Sequence, residues 1–101
     1  MITRIVKLSL DPQKTKDFLV IFDQVKKDIR QFQGCHHLDL LGDIAGSGIV
    51  FTYSLWETQE NFLDYQNSAL FKNTWAKVKP MFIAKAEAWS LEKLRESVVI
   101  G

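Results

Sequence analysis

Cysteine is nearly missing from this chain. Cys35 stands alone among 101 residues, so no intrachain disulfide can form and no multi-cysteine metal site can be built. A single thiol suits a reducing compartment. An excess of either charge is also missing: 13 Lys+Arg face 12 Asp+Glu, a formal net of +1, with no run of like charges longer than two. That leaves no electrostatic footprint for nucleic acid or for an anionic membrane. No apolar run approaches the roughly 20 residues that span a bilayer. Met1-Ile2-Thr3-Arg4 leads straight into an alternating segment, without the charged region, apolar block and cleavage site of a secretory signal. The expectation is a cytoplasmic protein with no nucleic-acid and no membrane partner. A phosphate-cradling glycine loop, a dinucleotide fingerprint and a Ser-His-acid set in recognisable context are absent as well.

What is present is apolar and aromatic. Hydrophobic residues make up 47% of the chain and aromatic ones 12%, enough to fold one compact domain. A domain this short buries a smaller share of its surface than a larger one, and small domains are often supplemented by disulfides, metal or self-association. With the first two removed by the cysteine count, self-association is left.

Taken in order, Ile2, Val6, Leu8 and Leu10 share one parity while Thr3, Lys7 and Ser9 share the other, which predicts a strand; Arg4 and Ile5 break the pattern. Asp11-Pro12 stops that strand and starts a helix. Phe18, Phe22, Val25, Ile29 and Phe32, at steps of four and three, place one stripe on a helix from about Pro12 to Phe32. Gln33-Gly34 ends it. Cys35 to Leu41 is a second strand, Gly42 to Gly48 a flexible hairpin connection, and Ile49 to Trp56 a third strand, apolar on both parities. Thr58 caps a helix from Gln59 to about Gln66, and Ser68 caps another from Ala69 to about Val78, stopped by Lys79-Pro80. Ala84 to Leu91 closes the pattern as a fourth strand with a small-residue face. The order is that of an α+β, ferredoxin-like βαββαβ fold, a four-stranded antiparallel sheet with helices on one side. One sheet face is then bare, and a second copy is the simplest cover. The chain divides into a domain over residues 1–91 and a tail over 92–101 whose apolar end, Val98-Val99-Ile100, reaches toward a partner in a homodimer.

The stretch from Phe51 to Trp75 carries a resemblance. A strand ending in Trp56-Glu57, followed by Phe62-x-x-Tyr65-x-x-Ser68-x-x-Phe71 and preceded by Gly34-Cys35 at a strand start, is similar to the antibiotic biosynthesis monooxygenase superfamily. Order and spacing match from about residue 1 to 91. The resemblance implies a dimeric α/β-barrel. Its haem-degrading branch implies an asparagine, a tryptophan and a haem-ligating histidine at positions that here hold Val6, Tyr65 and Trp75. An indole nitrogen only donates and cannot ligate iron, so no cofactor is expected. The cofactor-free branch implies an aromatic pocket in which a reduced aromatic substrate itself passes electrons to oxygen.

The site candidates follow. Tyr65 and Trp75, with Phe62, Phe71 and Tyr53, are expected to line a pocket where a flat aromatic ligand stacks; the competing reading is that these rings only fill the core. His37 and Asp39 share a strand face, and an imidazole oriented by a carboxylate is a candidate general base; the competing reading is a surface contact. His37 and Tyr65 are the two candidate catalytic groups. His36 and His37, adjacent on a strand, cannot chelate one metal together, and no metal site is expected. Trp56 and Trp89 are expected to pack at the barrel rim or the dimer contact, Cys35 to pack as a small apolar residue, and the Gly42–Gly48 connection to serve as a tolerant loop or a flap. The leading expectation is cofactor-independent oxidation of a small aromatic or quinol-like compound. A non-catalytic small-molecule-binding or structural dimer competes with it, and haem binding through Tyr65 or a histidine is a third reading.

Overall fold

The computed structural model describes residues 1–99. Its elements are β1 (Ile2–Ser9), a 3-10 turn (Pro12–Lys14), α1 (Thr15–Arg30), β2 (Cys35–Gly42), β3 (Ile49–Trp56), α2 (Gln59–Gln66), α3 (Ala69–Val78), a second 3-10 turn (Lys79–Met81) and β4 (Glu87–Leu91). All pairings are antiparallel and the strand order is β2-β3-β1-β4. This is the ferredoxin-like α+β arrangement expected from the order of elements. The apolar end of the tail lies partly outside the described residues, since Ile100 is beyond them.

Local chemistry explains the boundaries. Asp11 Oδ1 accepts from the Gln13 amide at 3.0 Å, and Pro12 sets a tight 3-10 turn. The α-helix proper therefore begins at Thr15 and ends at Arg30, shorter at both ends than the Pro12–Phe32 expectation. Thr58 and Ser68 cap α2 and α3 by accepting from the amides of Asn61 at 3.0 Å and Phe71 at 3.1 Å. Gly34, between α1 and β2, has φ +86°, and a Cβ there would lie 2.4 Å from the Asn61 side chain. The chain turns at Gly34 because only glycine both adopts that conformation and leaves that space.

Two segments depart from expectation. The fourth strand begins at Glu87 rather than Ala84. Leu10 bridges to Phe82 and Lys7 pairs with Glu87, so the later strand must fit two more residues than β1 between those points, and Ala84 to Ala86 loop out of the ladder. The 43–48 connection is organised about one side chain rather than loose. Asp43 accepts from the Ala45 amide at 3.0 Å and the Ser47 hydroxyl at 2.7 Å, and these bonds, the hydroxyl first, hold its carboxyl below the usual carboxylate range.

All three helices lie over one sheet face. Two buried clusters form there: Leu8, Leu10, Phe18, Val50 and Val78, and separately Cys35, Trp56 and Phe62. The register puts Ile5, Phe51, Tyr53, Leu55, Trp89 and Leu91 on the opposite face, where Trp89 and Leu91 are 43% and 47% exposed.

Candidate functional site

The space between the helices and the sheet is only partly filled. A cavity of about 410 Å³ opens there, a ligand-sized volume, lined by members of both buried clusters. Pleating explains the strand contributions. Arg4, Val6 and Leu8 of β1, Leu38 of β2, and Thr52, Ser54 and Trp56 of β3 all share the helix-covered face, with Ala88 of β4 beside Val6.

One wall is a continuous series of rings. Trp56 stacks on Tyr65 with centroids 5.0 Å apart and planes at 23°. Tyr65 meets Phe71 edge-on at 5.4 Å, Phe71 stacks on Trp75 at 5.8 Å and 12°, and Trp75 meets Phe82 edge-on at 5.3 Å. Phe62 packs edge-on against Trp56 at 5.7 Å. These are the offset and T-shaped geometries favoured by the ring quadrupoles. The α2–α3 junction sets them: the Ser68 hydroxyl accepts from Phe71 and donates to the Tyr65 carbonyl, which fixes the Tyr65 and Phe71 rings relative to each other.

Arg4 and Ser54 sit toward one end. Arg4, Ser54 and Ser90 share a row across the sheet. Ser54 Oγ accepts from the Trp56 indole at 3.0 Å, and Arg4 Nη1 donates to Ser90 Oγ at 3.1 Å. The Arg4 guanidinium lies 4.6 Å from the Phe62 ring centroid, a cation–π distance. Its Nε is buried without a hydrogen-bond partner. Burial lowers the Arg4 pKa, yet a guanidinium does not give up its proton in a protein. Burial, then the neighbouring Cys35, pushes the Tyr65 phenol well above its ordinary range, so Tyr65 is a neutral donor there and not a base.

Of the residues singled out in the sequence, the fold brings Phe62, Tyr65, Phe71 and Trp75 to the cavity wall. Tyr53 is not there. Its parity on β3 is that of Phe51 and Leu55, so it lies on the other sheet face, with its ring 5.6 Å from His37. His37 and Asp39 are hydrogen-bonded at 2.7 Å on that same outer face and do not reach the cavity. His36 pairs with Glu57 at an irregularity between Cys35 and His37, a bulge that plain alternation does not anticipate. Trp56 is not a rim residue: it is 1% exposed and forms part of the cavity wall. Arg4, Ser54 and Gln66 were not singled out. The signal for Arg4 was its place on the inward parity between Ile2 and Val6, where a charge interrupts an apolar face.

Haem does not fit this donor set. No imidazole or thiol lines the cavity, Val6 and Trp75 offer iron nothing, and the one oxygen donor of the family positions, Tyr65, is held as a neutral phenol. Among the described residues no three His, Cys, Asp or Glu side chains converge to hold a metal ion, and no helix among them is long and apolar enough to cross a membrane.

Residues 1–77 match the family model for antibiotic biosynthesis monooxygenase. Among solved structures, an antibiotic biosynthesis monooxygenase is similar with a TM-score of 0.88 at 14% identity, over 94% of this chain and 100% of that one. A conserved protein from Methanosarcina mazei matches at 0.85 and 16%, over 92% and 93%, and a protein from Mycobacterium tuberculosis at 0.85 and 16%, over 96% and 98%. At these identities the likeness is one of fold. No curated protein matches.

Proposed function

This chain belongs to the antibiotic biosynthesis monooxygenase family, and from that premise we propose that its cavity takes a small flat aromatic compound and supports its oxidation by molecular oxygen without a cofactor. The observation that carries this reading is the cavity of about 410 Å³ walled by the Trp56–Tyr65 and Phe71–Trp75 stacks. Rings used only as filling would close on one another, because interiors pack to crystal-like density and leave few voids larger than a water.

The reaction balances on substrate and oxygen alone. A ring methylene of an anthrone-like compound becomes a carbonyl with one oxygen atom of O2, and its two hydrogens leave with the other oxygen atom as water. The carbon is oxidised and O2 is reduced, with no further reductant. The chain's part is to bind and orient: the stacked rings hold a flat face, the neutral Tyr65 phenol donates a hydrogen bond to a substrate oxygen, and the apolar wall keeps water from the reacting carbon.

A second reading, a binder without turnover, is favoured by one observation: among the described residues no carboxylate or imidazole lines the cavity, so no side chain there is suited to remove a proton from a bound substrate. Oxygen uptake with a panel of anthrones and quinols separates the two. The oxidation reading expects uptake that falls at least about tenfold in folded Tyr65→Phe or Trp75→Phe; binding without uptake supports the second reading, and no binding by any compound removes both.

The proposal includes a homodimer formed through the bare sheet face. Leu41, Trp89 and Leu91 are exposed there beside Phe51, Tyr53 and Leu55, and a contiguous apolar face of this kind is normally covered. A species near 11.7 kDa alone in sedimentation at micromolar concentration would refute it.

A further inference from the structure

Among the described residues Arg4 is the one charged side chain that lines the cavity. Its surroundings compensate it incompletely. Nη1 donates to a neutral hydroxyl, that of Ser90, one face of the guanidinium rests near Phe62, and Nε is sealed from water without a partner. Among the described residues it pairs with no carboxylate, whereas Lys7, Lys26 and Lys93, all at the surface, do. Withdrawing a cation from water is costly, and folded chains ordinarily match such a charge with an anion. The rest of the wall is aromatic or aliphatic, apart from a few neutral polar groups such as Thr52, Ser54, Gln66 and Thr74. The cavity thus has one cationic end and an extended ring-lined body.

We infer that the ligand is an aromatic anion, a carboxylate or an ionised phenol or enol, whose charged oxygen is held by Arg4 at the Ser54–Ser90 row while its rings lie along the Tyr65–Phe71–Trp75 wall. This rests on the reading of the cavity as a ligand site and adds to it the charge and orientation of what binds. An ionised enol also answers the missing base: it has already lost the ring-methylene proton that no cavity side chain is placed to take. Its remaining hydrogen leaves with the second oxygen atom as hydroxide, and a solvent proton makes that water; a carboxylate supplies only the anchoring charge. Arginine suits the role because its donors form a planar fork that matches a carboxylate and its charge survives burial.

The test compares two probes of one shape, 2-naphthoate and its neutral amide 2-naphthamide, titrated by calorimetry into the whole chain and into Arg4→Gln and Arg4→Lys. The expected result is that the wild-type chain binds naphthoate about tenfold or more tightly than the amide, the size of effect given by a hydrogen bond to a charged group. Arg4→Gln should lose that preference, with naphthoate and amide bound about equally, and Arg4→Lys should keep part of it. Equal affinities in the wild-type chain overturn the inference and leave the cavity reading standing, as does a preference that survives in Arg4→Gln. If neither probe binds, both fall. The wild-type comparison needs no variant to fold, and thermal melts of both variants show whether the rest of the series is to be read.

Discussion

The indole of Trp56 and the phenol ring of Tyr65 stack 5.0 Å apart, although one ends β3 and the other lies on α2. That contact seats the second helix on the sheet and forms the near wall of the cavity, so fold stability and ligand contact meet in the same pair. The two roles separate along the ring series. Trp56 is 1% exposed and its indole nitrogen is satisfied by Ser54, whereas Trp75 faces the open volume.

Trp56→Ala should therefore lower unfolding free energy by about 3–5 kcal/mol, the usual loss for a fully buried large aromatic. Trp75→Ala, whose ring already lacks neighbours on its cavity side, should cost less than about half of that and abolish binding of aromatic probes. Denaturant melts and calorimetry on the two variants check this; equal stability losses would mean that the cavity closes around Trp75 in solution.

Gly34 and Gly46 both have positive φ, +86° and +70°, yet a Cβ at Gly34 meets Asn61 at 2.4 Å while one at Gly46 meets nothing within 4 Å. Gly46→Ala should cost about 1 kcal/mol for the strained backbone alone. Gly34→Ala should cost clearly more, because it adds a clash between the start of β2 and α2. Chemical denaturation of the pair isolates the packing contribution.

Tyr65 should resist ionisation. Its phenol is neutral in the folded state at a pH where the free side chain, with a pKa of about 10, would ionise. The folded pKa is raised, so the stability linked to Tyr65 is fully present below about pH 10 and declines as the unfolded chain ionises while the folded one does not. In a Tyr53→Phe chain, alkaline titration should show no tyrosinate absorbance through about pH 10.5, with its appearance coinciding with loss of circular dichroism. Ionisation of a still-folded chain in the ordinary range would contradict the burial.

Trp89→Asp tests the proposed dimer. The side chain is 43% exposed on the bare face, so a single chain should lose little stability, while a dimer built on that face should dissociate. Sedimentation at one concentration before and after the change reads the mass directly; an unaltered dimer would place the interface elsewhere.

Much was legible from residue order alone, because local rules act over a few residues. The caps at Thr58 and Ser68, the stop at Lys79-Pro80 and the alternation of β1 read out as element boundaries, and the order of those elements as a ferredoxin-like sheet. Phe62, Tyr65, Phe71 and Trp75 were also legible as inward-facing residues of two helices, to line a pocket or to fill the core. Where prediction departed, a longer-range contact decided. Leu10 bridging Phe82 displaced Ala84 to Ala86 from the ladder. The irregularity between Cys35 and His37 put His37 on the outer face, while Cys35 stayed inside beside Trp56. Tyr53 went to the other side of the sheet because strand parity is set by pairing and not by chemistry.

By itself, then, the sequence determined which segments become strands and helices and which helix stripes turn inward, since capping, periodicity and turn propensity are properties of near neighbours. Only the tertiary structure decided that the rings leave a hollow, and that Arg4, with no carboxylate to meet it among the described residues, stands at one end. Both depend on how residues distant in the chain pack, and packing volume and charge compensation belong to the assembled interior.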